Sequence, residues 1–199
     1  MRLAKPLVLA SRSPRRIHLL RQVGFQPEVQ SCDIPEDFDP RLSPAENARE
    51  LALRKAECVA GRLERAYVVG ADTIVAINGQ MLGKPADAEE AKRMLQLLSG
   101  RTHTVYTGFA IVDRPSNLNA VEVESTLVTF RDLYPDEVDE YVQGGSPMDK
   151  AGAYGIQDDY GAVFVSRVEG CFYNVVGFPL ARFFLTLKSF QEQVNSVHV

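Results

Sequence analysis

The stretch LVLASRSPRRIHLL, residues 7–20, sets three guanidinium groups beside two hydroxyls where an apolar run meets a helical pattern. Leu7 to Ala10 read as a short buried strand. Ser13 offers an N-cap oxygen and Pro14 takes the first helical position, where a missing N–H costs nothing. Ile17, Leu20 and Gly24 follow at helical spacing. Free backbone N–H groups at a positive helix end, together with Ser11, Arg15 and Arg16, suit a phosphate. The plainer reading is a capped helix with solvated arginines.

A carboxylate follows in GADT. Aspartate is a poor strand former, yet Asp72 stands between YVVG and TIVAI, behind a glycine that admits close approach. It is a candidate general base for water, or a ligand for a divalent ion; an Asx turn is the bland alternative. Lys84, between Gly83 and Pro85, is more constrained than an ordinary surface lysine. Lys55 flanks the apolar stripe of a helix, where a lysine commonly snorkels along a core edge. Asp149 to Gln157, DKAGAYGIQ, packs small residues between a charge pair and an amide. Gln157 can both donate to and accept from a base edge. Glu36, with Asp33, Asp37 and Asp39, forms an acidic loop that is either solvated surface or a source of metal oxygens.

The elements that must position these groups alternate between two periods. Ser43-Pro44-Ala45-Glu46 is a capping box, from which a helix runs to about Ala60. Asn78-Gly79 marks a hairpin, and a two-residue loop there pairs residues whose numbers sum to 157. Thr73 then faces Lys84, and strict alternation sends Asp72 to the opposite face. The glycines and Pro85 are expected to break regular pairing at that end. A helix from Asp87 should bury Ala91, Met94, Leu95 and Leu98. Strands near 102–113 and 120–130, a short acidic helix from about Asp136, a hairpin about Glu169-Gly170 and a final apolar helix complete the chain. Hairpins interspersed with helices imply an α/β fold with a mixed sheet, one domain over 1–199, with room for two lobes.

Composition narrows the function. A hydrophobic share of 45% over 199 residues gives a sizeable core, and a net charge of −4 argues against a broad nucleic-acid face. No apolar run is long enough for a membrane helix or a signal peptide, so the cytoplasm is the expected location. Cys32, Cys58 and Cys171 show no disulfide or zinc spacing and suggest a reducing compartment. His18 and His103 read as structural. Tyr154, Tyr160, Phe172 and Tyr173 could stack on a base, but core packing suits most of them better. GxSxG, GxxxxGK[ST] and GxGxxG are all absent, which removes support for an acyl-transfer triad, a P-loop and a dinucleotide fold.

LASRSPRR, GADTIV, LGKP, SPMDKAGAYGIQ and NVVGFPL, in this order from residue 7 to about 185, resemble the Maf family of nucleoside-triphosphate pyrophosphatases. The resemblance implies a mixed-sheet α/β fold with flanking helices, similar to the inosine-triphosphate pyrophosphatases. It also implies two lobes about a central cleft, and frequent homodimers. The implied reaction is hydrolysis between the α and β phosphates with a divalent cation, magnesium or manganese. Carried over, the proton acceptor falls on Asp72; Arg15, Thr73 and Gln157 fall on substrate-choice positions. Ser11, Arg16, Lys55 and Lys84 match phosphate contacts, and Glu36 joins Asp72 as a metal carboxylate. GADT with DKAGAYGIQ resembles the branch that prefers dTTP and UTP. Asp158-Asp159 and Cys171-Phe172 depart from the family pattern. The alternative is a non-catalytic nucleotide-binding regulator of cell division.

Overall fold

The computed structural model describes residues 3–157 and 160–196. Seven strands form a mixed sheet in the order β2-β1-β3-β5-β6-β7, with β4 paired to β3. The strands are β1 (Leu7–Leu9), β2 (Glu28–Val29), β3 (Ala66–Ile77), β4 (Gln80–Leu82), β5 (Thr102–Arg114), β6 (Asn119–Phe130) and β7 (Val165–Glu169). The helices are α1 (Pro14–Gln22), α2 (Pro44–Ala60), α3 (Ala88–Leu98), α4 (Pro135–Gln143), α5 (Phe172–Val176) and α6 (Leu180–Ser196). β1 runs parallel to β2 and β3, whereas β4 and β7 are antiparallel to β3 and β6, so the sheet is mixed as expected. The chain divides into two compact units. One comprises Met1–Asp72, Thr107–Glu124 and Gly177–Val199; the other comprises Thr73–Tyr106 and Ser125–Val176.

In the first unit the strands alternate between two helical covers. Ala66 and Val68 of β3 and Ala110 and Val112 of β5 pack with Ala52, Ala56 and Val59 of α2. Their neighbours face the other way: Tyr67 meets Phe190 of α6, and Phe109 meets Phe183 of α6. This is the period-two pattern of a sheet covered on both faces. The α2 cover lies unusually close. A Cβ on Gly70 would stand 2.2 Å from the Ala52 carbonyl oxygen, and one on Gly108 would stand 2.3 Å from that of Ala48. Glycine on the strands and alanine at four-residue spacing on the helix bring backbone against backbone. The α2 capping box forms as read: Ser43 accepts from the Glu46 N–H, and Glu46 accepts from that of Ser43 at 2.8 Å. At α1, by contrast, Ser13 makes no side-chain cap; its own N–H donates to Ser11 Oγ at 3.2 Å.

In the second unit Ala91, Met94, Leu95 and Leu98 of α3 are buried with Val75, Val128, Phe130, Tyr154 and Phe164. The hairpin register is Val75↔Leu82, Ala76↔Met81 and Ile77↔Gln80, each pair summing to 157 as the two-residue loop requires. Pairing ends at Leu82, before Gly83 and Lys84, so Thr73 and Lys84 are not ladder partners. The hairpin expected about Glu169-Gly170 does not form. β7 pairs instead with β6, Val168 opposite Val128, and past Gly170 (φ 127°) the chain turns into α5. The glycine marks a turn, but its partner strand lies some forty residues back, which a local signal does not reveal.

His103 lies in this core, ring-edge against Phe130 and Tyr154, and burial pulls its imidazole down to about 4. The unfolded chain takes up that proton near pH 6.5, whereas the fold resists it. The stability that neutral His103 contributes is therefore whole above pH 6.5 and drains away as pH falls towards about 4. At 1.36 kcal/mol per pH unit the loss reaches roughly 3 kcal/mol. We expect His103→Phe to remove that component: the stability difference between wild type and variant, from urea melts, should shrink progressively from pH 6.5 to pH 4. A constant difference would contradict a neutral buried imidazole.

Candidate functional site

The cluster that gathers most of the expected residues lies in the first unit, about Asp72, midway along β3. Asp72 and Lys55 are both nearly buried, Asp72 at 8% exposure and Lys55 at 9%. Lys55 Nζ donates to Asp72 Oδ1 at 2.5 Å and pairs with Glu36 Oε1 at 2.6 Å. Lys55 does not snorkel; it is the ammonium on which two carboxylates converge. Gly70 and Gly108 account for its placement, because they seat α2 close enough for a side chain starting on the helix to reach Asp72 on β3.

Arg16 organises the opposite side of Asp72. Its Nη1 donates to Ala71 O at 2.8 Å and to Ser11 Oγ at 3.2 Å, and its Nε donates to Gly177 O at 3.0 Å. Burial lowers the pKa of this guanidinium and Asp72 raises it again, with Arg15 lowering and Glu36 raising it further. Arg15, Arg16, Glu36 and Asp72 therefore share one local field. Arg16 also acts as a frame, tying the opening turn to β3 and to the NVVGFPL segment, and a phosphate contact would be added to those bonds or exchanged for one of them.

The acidic loop is strapped down by its backbone, while Asp33, Glu36 and Asp37 stay exposed as the solvated-surface reading expects. The buried amide of Asn47 accepts from the Asp39 N–H at 2.8 Å and donates to the carbonyls of Asp39, Leu42 and Ser43. Arg54 holds Pro35 O at 3.1 Å, and Arg12 holds Ser31 and Asp33. Asp39 accepts from Nε and Nη2 along one edge of the Arg41 guanidinium and is held down to about 2 by that side-chain hydrogen bonding, so it belongs to the strap and not to the Lys55 cluster. Cys32 and Cys58, 26 residues apart with Cα atoms 6.1 Å apart, are bridged. This corrects the expectation drawn from cysteine spacing, because two distant cysteines meet only once the loop lies on α2. Asn47 and Arg54 are not singled out by the sequence, and Arg12 groups there with the guanidiniums of the opening turn, not with the acidic loop. An asparagine inside the first turns of a helix, against its propensity, is the one signal that could have found Asn47.

Thr73, Lys84 and Gln157 belong to the second unit. Gly83, beside Lys84, accepts from the Gly152 N–H at 3.0 Å, which joins the LGKP segment to the DKAGAYGIQ segment. Gly152 has φ 69°, and a Cβ there would touch Val75 at 2.9 Å. Lys150 Nζ binds Ser146 and Asp149 locally. Of the four aromatics considered for stacking, only Tyr154 is in the core; Tyr160, Phe172 and Tyr173 are exposed at 54%, 45% and 36%, against the expectation that most would be buried. Cys171 serves through its backbone: Thr126 Oγ1 accepts from its N–H and donates to its carbonyl. Asp158 and Asp159 lie outside the described residues.

For a divalent cation, no group of three or more His, Cys, Asp or Glu side chains is arranged to hold one among the described residues. Two carboxylates converge on the Lys55 ammonium, however, and two hard oxygens completed by substrate phosphates are what magnesium commonly takes from a protein. Glu36 and Asp72 fit that role. Among the described residues no helix is long and apolar enough to cross a membrane.

The chain as a whole is similar to known proteins. A dTTP/UTP pyrophosphatase of Pelotomaculum thermopropionicum is 50% identical over 186 residues, covering 94% of this chain and 97% of that protein. Proteins of the same name from Moorella thermoacetica and Thermotoga maritima are each 51% identical over 176 residues, covering 88% and 87% of this chain and 90% and 84% of theirs. Residues 6–190 match the family described as Maf-like protein, a span that takes in every group placed above. The chain belongs to the Maf family.

Proposed function

We propose that this protein hydrolyses pyrimidine nucleoside triphosphates, dTTP and UTP foremost, to the monophosphate and pyrophosphate. The observation that carries the reading is the Asp72–Lys55–Glu36 cluster on β3, in a chain about half identical to proteins named for that reaction. Ser11, Arg15, Arg16, Lys55 and Lys84 are assigned to the phosphates; Thr73, Gln157 and Arg15 are assigned to substrate choice.

In this mechanism Lys55 fixes Oδ1 of Asp72, and the other carboxylate oxygen takes a proton from the attacking water. The hydroxide adds to the α-phosphorus, the α–β bridging oxygen leaves with the pyrophosphate, and the guanidinium and ammonium groups offset the charge that develops. A magnesium or manganese ion held by Glu36 and Asp72 would add Lewis-acid polarisation of the phosphates. A regulator that only senses nucleotide has no need of a carboxylate fixed in this way. The proposal includes a cytoplasmic location, where nucleoside triphosphates are made.

The test is a panel of nucleoside triphosphates with magnesium or manganese in ¹⁸O-labelled water, with products separated and weighed. We expect monophosphate and pyrophosphate, fastest from dTTP or UTP, with the label in the monophosphate. Label in the pyrophosphate would move the attack to the β-phosphorus. Diphosphate and phosphate as products would overturn the reaction.

A further inference from the structure

The segment that carries Gln157 is held in a conformation it would not adopt alone. Gly152 and Ala153 both lie in the left-handed region, φ 69° and 62°, and for alanine that backbone is unfavourable. Such strain persists only where the surroundings over-determine it. Three bonds do so within the second unit. The Gly152 N–H donates to Gly83 O at 3.0 Å; the Gly155 N–H donates to Tyr141 Oη at 3.3 Å; Tyr154 Oη and His103 Nε2 lie 2.8 Å apart. The Tyr154 ring is clamped as well, edge-on to Phe130 at 4.7 Å and to His103 at 5.4 Å. The other nitrogen of the buried His103 ring, Nδ1, has no partner among the described residues. The only hydrogen bond found for that ring is therefore the one to Tyr154, three residues before Gln157. That bond satisfies one nitrogen of the buried ring and holds the Tyr154 hydroxyl in place.

We propose that His103 and Tyr141 are positioning residues for base selection: through Tyr154 and Gly155 they fix the Gly152–Gln157 segment so that the Gln157 amide meets the edge of a pyrimidine base. The inference rests on the proposed function and deepens it, because it says what sets the specificity of the amide. His103 and Tyr141 touch no substrate; they act on the segment that does. Loosening either tie lets the amide sample orientations that no longer favour the correct base, whereas phosphate binding through other residues is left alone. Discrimination should fall while the general affinity for triphosphates survives.

The test compares wild type, Tyr154→Phe, Tyr141→Phe and Gln157→Ala. Each phenylalanine variant keeps its ring and removes only the hydroxyl. Calorimetry with the α,β-methylene analogues of dTTP and dATP gives the ratio of the two dissociation constants, and kcat and KM are measured for dTTP and dATP. We expect each phenylalanine variant to lower the dTTP-over-dATP binding ratio about five- to tenfold, the worth of one hydrogen bond. The loss should appear in KM for dTTP, with kcat and the dATP constants within about twofold of wild type. Destabilisation alone would weaken both nucleotides equally at a temperature below melting. Equal weakening, or an unchanged ratio in both variants while Gln157→Ala collapses it, overturns the positioning role and leaves the proposed function standing. A wild-type protein that binds neither analogue, or a Gln157→Ala variant with an undiminished ratio, overturns the underlying reading and this inference with it.

Discussion

Asp72→Asn should retain the fold and bind triphosphate while losing about 10²- to 10⁴-fold in kcat, the range a positioned base supplies. The amide is the same size and can still accept from Lys55, which keeps Glu36 as a charged partner at 2.6 Å, so no ammonium is stranded in the nearly buried site. What disappears is the capacity to take the proton from water. Single-turnover measurement of pyrophosphate release, with binding of a nonhydrolysable analogue alongside, separates the two. A variant with kcat within about tenfold of wild type would remove Asp72 from the role of base.

The other large effect is structural and falls on Gly70. Alanine there would place its Cβ 2.2 Å from Ala52 O and 2.7 Å from Ala56 N, both backbone atoms of α2 that cannot turn aside as a side chain can. Either the helix lifts from the sheet or β3 bends. Overpacking of this kind costs about 3 kcal/mol or more, which in a domain of 199 residues lowers the melting temperature by roughly 10 °C. The displacement is transmitted to chemistry, because Lys55 reaches Asp72 only through the closeness of α2 to β3. Gly70→Ala should therefore lose turnover even at temperatures where it stays folded. A melting temperature within about 3 °C of wild type would show that the strand accommodates the methyl.

Most elements are legible in the sequence because their signals are local. The Ser43 capping box, the Asn78-Gly79 hairpin with its register, and the Ala91, Met94, Leu95, Leu98 stripe each rest on residues within one or two turns of each other. Asp72 stood out because aspartate is out of place in a strand. Whatever depends on distant segments meeting was hidden. Cys32 finds Cys58, Asn47 gathers the acidic loop, and β7 pairs with β6 instead of folding about Glu169-Gly170. The Ser13 side chain caps nothing, and its own N–H donates to Ser11 Oγ two residues before it. The helix pattern alone makes Lys55 an edge lysine, and only the family resemblance marks it for the site, because nothing in a helix pattern announces that a glycine on a neighbouring strand will draw the helix inward.

The strap that carries Glu36 is fixed on both sides of it, by Cys32 and Arg12 before and by Asn47 after. A carboxylate on so short a tethered span does not diffuse away when its pair with Lys55 opens. Its effective concentration at the Lys55 ammonium stays in the millimolar range or above, far beyond that of any free anion competing for the place. Glu36 can thus release Lys55 and take another cation, then return, with the ends of the loop at rest.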